Sequence, residues 1–255
     1  MKTLKPEERL IVAADFKPEA NVKFPNEDYA SRRAWISDKV LSLAKILEGT
    51  GVCLKVNSAL RACGYDLIDS IHYYGLLVFA DLKLYDIKET LSIDGMLLKE
   101  AKPELLTTVC TTGIDAMMAL KNELPNTEVL GVTVLTNLKE EDTQAMFTCS
   151  IEEAVLRFSM LGPKANIDGF ISSAKQAGML RAKFGTLFTL NTPAIRPAWA
   201  IVKGDDQNPD QIMTPAKAIL AGADRIVVGR PITQAADPYE AVMKTIEEIA
   251  SVAGS

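Results

Sequence analysis

Eight short runs rich in apolar and β-branched residues recur along the chain, and each gives way to a longer stretch of different period. The runs read LIVAAD (10–15), GVCLKV (51–56), LLVFADL (76–82), LLTTVC (105–110), EVLGVTVL (128–135), IDGFISS (167–173), TLFTLN (186–191) and DRIVVG (224–229). Between them, stretches such as SRRAWISDKVLSLAKILEG, SIDGMLLKEAKP, SIEEAVLRFSMLG, TPAKAILAGA and DPYEAVMKTIEEIASVA return their apolar residues every three or four positions, the period of an amphipathic helix. Strands apolar on both faces and separated by helices imply a parallel sheet covered by those helices. Eight such units in an α/β chain predict a (β/α)8 TIM barrel. The alternative, a doubly wound open sheet, lacks its G-x-G-x-x-G turn after the first strand, where the chain reads ADFKPEA. At 255 residues, with no low-complexity tract or composition shift, the expectation is a single domain over 1–255.

Composition narrows the partners. Acidic residues outnumber basic ones, 33 to 28, and no block of Lys and Arg interrupts the chain, which argues against nucleic acid. Cys53, Cys63, Cys110 and Cys149 show no C-x-x-C spacing and read as reduced cysteines, three of them in or beside apolar segments. The one histidine, His72, sits in DSIHYYG at a helix end and reads as structural, so no histidine cluster for a metal exists and a Ser-His-Asp arrangement is disfavoured. No window approaches the ~20 apolar residues of a membrane span. The expectation is a soluble, cytoplasmic protein without a metal or cofactor.

Charge at the strand ends carries the chemistry. In a parallel barrel the C-terminal rim holds the reacting groups, and here Asp15 ends the first strand, Lys55 the second, and Asp81 with Lys83 the third. Side chains at i and i+2 of a strand share a face, so Asp81 and Lys83 are expected to point together into the mouth while Leu82 packs outward. Buried charges are expensive and seldom add net stability even when paired, so four of them converging on one rim point to a ligand or a reaction. An ammonium held between carboxylates is a positioned proton donor. Between the seventh strand and the next helix lies a long connection, 191–213, of the kind that forms lids or binding loops. Soon afterwards the eighth strand delivers Gly229 and Arg230, placed where such barrels hold a phosphate.

With these residues in view, FADLKLYDIKET resembles the D-x-K-x-x-D-I-x-x-T signature of orotidine 5′-phosphate decarboxylases. The resemblance runs over nearly the whole chain: Asp15 in VAADF, Lys55 in LKVN, Thr136 in VLTNL, TPAIRP at 192–197, DDQ at 205–207, IMTP at 212–215 and IVVGRPITQAADP at 226–238 follow in the family's order. Two positions depart from the pattern. Lys88 stands where the family often has Pro, and Cys110 where it has His.

The resemblance implies decarboxylation of orotidine 5′-monophosphate to uridine 5′-monophosphate, the last step of de novo pyrimidine nucleotide synthesis, without metal or cofactor. Lys83 would protonate C6 as carbon dioxide leaves, and Asp81 would sit beside the substrate carboxylate. Lys55 and Asp86 would complete the charged network, with Asp15 and Lys55 also holding ribose hydroxyls. Asp86, Ile87 and Thr90 would reach the neighbouring subunit's site, so the unit would be a homodimer with shared active sites. Thr136 would face the pyrimidine, and Arg196, Gln207, Gly229 and Arg230 would surround the phosphate, with Gln211 the alternative to Gln207. Two rivals share parts of this pattern. One is a sibling phosphosugar decarboxylase or synthase that needs a metal, and the other a non-catalytic nucleotide-binding barrel.

Overall fold

The computed structural model describes residues 4–18, 24, 28–200 and 213–252. The apolar runs form eight parallel strands that close in sequence order into a barrel: β1 (Leu10–Ala13), β2 (Cys53–Val56), β3 (Leu77–Leu84), β4 (Leu105–Val109), β5 (Glu128–Val132), β6 (Gly169–Ile171), β7 (Thr189–Thr192) and β8 (Arg225–Val228). Closure is made by β8, which pairs back onto β1 with Leu10 opposite Ile226.

Strand periodicity explains why the runs are apolar on both faces. Ile11, Cys53, Phe79, Leu105, Leu130 and Val227 meet inside the barrel, whereas their neighbours Leu10, Val12, Leu54, Val78, Leu106 and Val228 belong to a second cluster outside it. That outer cluster is sealed by α1 (Tyr29–Ile46), α2 (Ser58–Cys63), α3 (Asp66–His72), α4 (Lys88–Ala101), α5 (Ile114–Glu123), α6 (Glu140–Phe147), α7 (Ile151–Ser159), α8 (Gly162–Ala165), α9 (Ala174–Phe184), α10 (Pro215–Leu220), α11 (Arg230–Thr233) and α12 (Pro238–Ala250). Several starts are written locally. Ser150 accepts from Glu153 N while Glu153 reaches back, and Asp237 accepts from Glu240 N one residue before Pro238. Among the described residues no helix is long and apolar enough to cross a membrane.

Some strands are shorter than their apolar runs. The run 128–135 stops being strand at Val132, and Val134 and Leu135 instead wall a cavity at the rim. Pairing between β6 and β7 begins only at Gly169 and Thr189, where the backbones approach so closely that a Cβ on Gly169 would lie 2.1 Å from Thr189 Oγ1. Upstream of that point Leu187 is exposed and Phe188 leaves the sheet for an aromatic cluster, its ring 4.8 Å from Phe170 and 5.3 Å from Phe184.

Candidate active site

β3 carries its charged residues to the C-terminal rim with the parity of its apolar ones. Phe79 faces the barrel interior and Leu82 the outer layer, so Asp81 points inward. There Asp81 Oδ2 receives two ammoniums, Lys83 Nζ at 2.7 Å and Lys55 Nζ at 3.2 Å. Lys55 Nζ is also 2.6 Å from Asp15 Oδ2. The remaining oxygen, Asp81 Oδ1, accepts from Thr107 Oγ1 at 2.9 Å. Lys55 and Asp81 are 8 % and 7 % exposed, so the centre of the cluster is withdrawn from water, whereas Asp15 lies at its open edge. Such burial is tolerated because each charge has partners of opposite sign and hydrogen bonds as well.

The strand is distorted at this point. β3 and β4 run in register at Phe79–Leu105 and Ala80–Leu106, then slip, so that Leu84 stands opposite Thr108. Lys83 sits in the slip with a left-handed backbone, φ 48°, a conformation that costs a non-glycine residue about 1–2 kcal/mol. Side chains take over the backbone groups that lose their strand partners. Lys83 N–H donates to Thr107 Oγ1 at 2.9 Å, Leu82 O accepts from Arg61 Nη2 at 2.6 Å, and Leu84 O accepts from Thr108 Oγ1 at 2.9 Å.

Above the cluster opens a cavity of about 380 Å³. Asp15, Lys55, Asp81 and Lys83 line one side, and Thr136, Arg196, Gly229 and Arg230 complete it from the loops after β5, β7 and β8. Eight of the residues singled out in the sequence are thus brought to one pocket. Asp86, Ile87 and Thr90 are not: Asp86 is exposed, its carboxylate accepting from Ile87 N at 2.7 Å, and the three lie outside the cavity of their own chain. Gln207 and Gln211 lie outside the described residues. The long connection after β7 is tied at its base, because Ile195 bridges Met213 and Arg196 N–H donates to Met213 O at 3.1 Å. Glu248 on α12 clasps the same base, one oxygen accepting from Ala198 N and the other from Ala216 N.

A larger cavity, about 820 Å³, opens at the opposite, N-terminal end of the barrel. Two of its carboxylates are held by guanidinium groups: Glu128 by Arg225 at 2.7 Å and Asp224 by Arg181 at 2.6 Å. Size therefore does not mark the chemistry. The smaller cavity is the one lined by two ammoniums, two carboxylates and two guanidinium side chains. Among the described residues no group of three or more His, Cys, Asp or Glu gathers where it could hold a metal ion.

Sequence reading passed over several contributors. Phe79, Val132, Ile171 and Val227 form an apolar floor beside the charges, and Pro193, Ala194 and Ile195 wall the mouth. The strand parity of the floor residues is a signal that could identify them, and Pro193, Ala194 and Ile195 lie within the TPAIRP block that follows the family's order. Thr107 was visible only as an inward position of a strand. Cys110, in the position where the resembling family has His, is fully buried, and desolvation pushes its thiol up to about 12, so it stays neutral. His72 ends α3 and meets Glu104 Oε2 at 3.2 Å, far down the fold from this rim in a purely structural contact.

An arrangement of this kind can repel an anionic group placed against Asp81 while offering a proton from Lys83, with the two arginines able to hold a second anion across the cavity. Known proteins share the whole frame. The family model described as "Orotidine 5'-phosphate decarboxylase / HUMPS family" matches residues 8–245. An orotidine 5′-phosphate decarboxylase of Saccharophagus degradans is 33 % identical over 251 residues, covering 96 % of this chain and 96 % of that protein. One of Pseudomonas fluorescens is 36 % identical over 220 residues, covering 84 % and 93 %. The crystal structure of orotidine 5′-phosphate decarboxylase from Lactobacillus acidophilus superposes with a TM-score of 0.74 at 25 % identity, covering 95 % of this chain and 99 % of that one.

Proposed function

The chain belongs to the orotidine 5′-phosphate decarboxylase / HUMPS family, and we propose that it converts orotidine 5′-monophosphate to uridine 5′-monophosphate and carbon dioxide, without metal or cofactor. The observation that carries this reading is Asp81 held between the ammoniums of Lys55 and Lys83 on the wall of a cavity that also presents Arg196 and Arg230.

In this reading the phosphate meets Arg230, Gly229 and Arg196, Thr136 faces the pyrimidine, and Asp15 and Lys55 hold the ribose hydroxyls. The C6 carboxylate then lies toward Asp81. The bond from C6 to the carboxylate carbon breaks, carbon dioxide departs, and the electron pair left on C6 takes a proton from Lys83 Nζ. The neutral amine regains its proton from water. No electron sink is needed if the developing charge on C6 is met by an ammonium already in place, because preorganised charge has no reorganisation left to perform. Phosphate contacts distant from C6 contribute by closing the site, so their binding energy reaches the chemical step.

The reading also takes the active unit to be a homodimer in which Asp86, Ile87 and Thr90 enter the partner's site. An exposed apolar surface supports it. Ile87 is 66 % and Tyr85 63 % exposed, and Ile93, Met96 and Leu97 continue the patch along one side of α4. A cytoplasmic setting is supported by four cysteines that are all free thiols.

The test is the ultraviolet absorbance of orotidine monophosphate incubated with purified protein in the presence and absence of a chelator. Loss of the substrate spectrum at equal rates in both supports the reading. Turnover that a chelator stops would overturn the metal-free mechanism, and binding without turnover would shift the assignment to a non-catalytic barrel.

A further inference from the structure

We propose that Thr107 is a positioning residue for the decarboxylation, its single buried hydroxyl setting both the carboxylate of Asp81 and the backbone of Lys83. The inference rests on the decarboxylase reading of the pocket and adds a residue to it.

Thr107 is fully buried on β4, on the inward parity of Leu105. A threonine hydroxyl has one hydrogen to donate and lone pairs to accept, and here both capacities are spent on the reacting pair. It donates to Asp81 Oδ1 and accepts from Lys83 N–H, each at 2.9 Å. The first contact determines which way the carboxylate faces. With Oδ1 committed to Thr107, Oδ2 is the oxygen turned to Lys55 and Lys83. The second contact holds the bend. At the register slip Lys83 N–H donates to the Thr107 hydroxyl in place of a strand carbonyl, and the left-handed backbone of Lys83 persists only where its surroundings impose it.

Removing the hydroxyl therefore leaves a buried carboxylate oxygen and a buried N–H without partners at once. Both faults relax in the same direction, by turning Asp81 and straightening Lys83, and both move the ammonium away from the reacting carbon. Thr108 supplies the comparison. It is equally buried, but its hydroxyl donates to another group at the slip, Leu84 O, and not to Asp81.

The experiment compares Thr107→Val, Thr107→Ser and Thr108→Val in the full-length enzyme, reading kcat, KM and melting temperature. Thr107→Val is expected to lose kcat about 10- to 100-fold with KM held within about twofold, because misplacement of a transition-state group costs rate and not binding. Thr107→Ser restores kcat, and Thr108→Val lowers the melting temperature while leaving kcat at the parent value. A crystal structure of Thr107→Val should show the Asp81–Lys83 separation longer than the parent's 2.7 Å. Should Thr107→Val not fold, Thr107→Ala is measured against Thr107→Ser in the same way. Parent-level kcat in a folded hydroxyl-free variant overturns the proposal, as does a rate loss in Thr108→Val equal to that of Thr107→Val. An unmodified enzyme that does not consume orotidine monophosphate overturns the decarboxylase reading and this role together.

Discussion

Asp81 and Lys83, two residues apart on one strand, bring their charged atoms to 2.7 Å, and they do so across a backbone that turns left-handed at Lys83. In a regular strand such neighbours stand side by side about 7 Å apart, with long side chains free to diverge. The slip in β3 folds the second toward the first. Consequences for rate, assembly, binding and stability follow from this arrangement and its surroundings.

Lys83→Ala removes the proton donor and one of the two ammoniums on Asp81, so kcat should fall by about four orders of magnitude. Circular dichroism and melting temperature should stay near the parent values, since Lys55 still pairs Asp81. A steady-state rate close to the parent's would refute the proton-donor role.

Sharing of sites between subunits can be tested by mixing Lys83→Ala with Asp86→Ala. Each alone is expected to be inactive, but a hybrid dimer has one site that carries neither change. Random exchange should return about one quarter of the parent activity. No recovery, once exchange has been verified by mass, counts against catalysis across the interface.

Arg230→Ala should raise KM about 10- to 100-fold, the cost of one charge-assisted contact to phosphate. Inorganic phosphate should inhibit the parent enzyme and lose that effect on the variant. An unchanged KM together with unchanged phosphate inhibition would place the phosphate elsewhere.

Ala194, on the wall of the cavity, holds φ at 62°, where a Cβ is penalised and glycine is not. Ala194→Gly should therefore stabilise the fold by about 0.5–1 kcal/mol, a rise of about 1–3 °C in Tm, after the added flexibility of the unfolded chain is deducted. A lower melting temperature would show that the methyl group packs productively at the mouth.

The hydrogen bond to Glu104 raises the pKa of His72 above its usual 6.5, against the opposing influence of burial. The folded protein thus holds this proton more tightly than the unfolded chain. Its stabilising contribution is complete below 6.5 and fades as pH rises through the higher folded value. Chemical denaturation of the parent and of His72→Gln should differ at about pH 5.5 and converge at about pH 9. An equal difference at both would remove the titration from the account.

Much of the barrel was legible because its signals are local. Alternation along β3 put Asp81 and Lys83 together at the mouth and Leu82 outward, and the structure keeps that assignment. The strand ends were less legible. β7 begins at Thr189 and not at 186, because the close approach to Gly169 and the ring cluster around Phe188 decide where pairing can start. Asp86 shares a motif with Asp81 and Lys83, yet after the turn it is exposed and does not line the cavity of its own chain.

The amino-acid sequence by itself determined the succession of strands and helices, the parity of each strand and the type of charge at each rim position, since these depend on residues a few places apart. Only the tertiary structure decided that Asp15, Lys55, Asp81 and Lys83 form one chain of contacts, and that Thr107 secures it from the next strand. Those distances depend on which atoms barrel closure and a slipped register bring together, and such cross-strand proximity has no period along the chain.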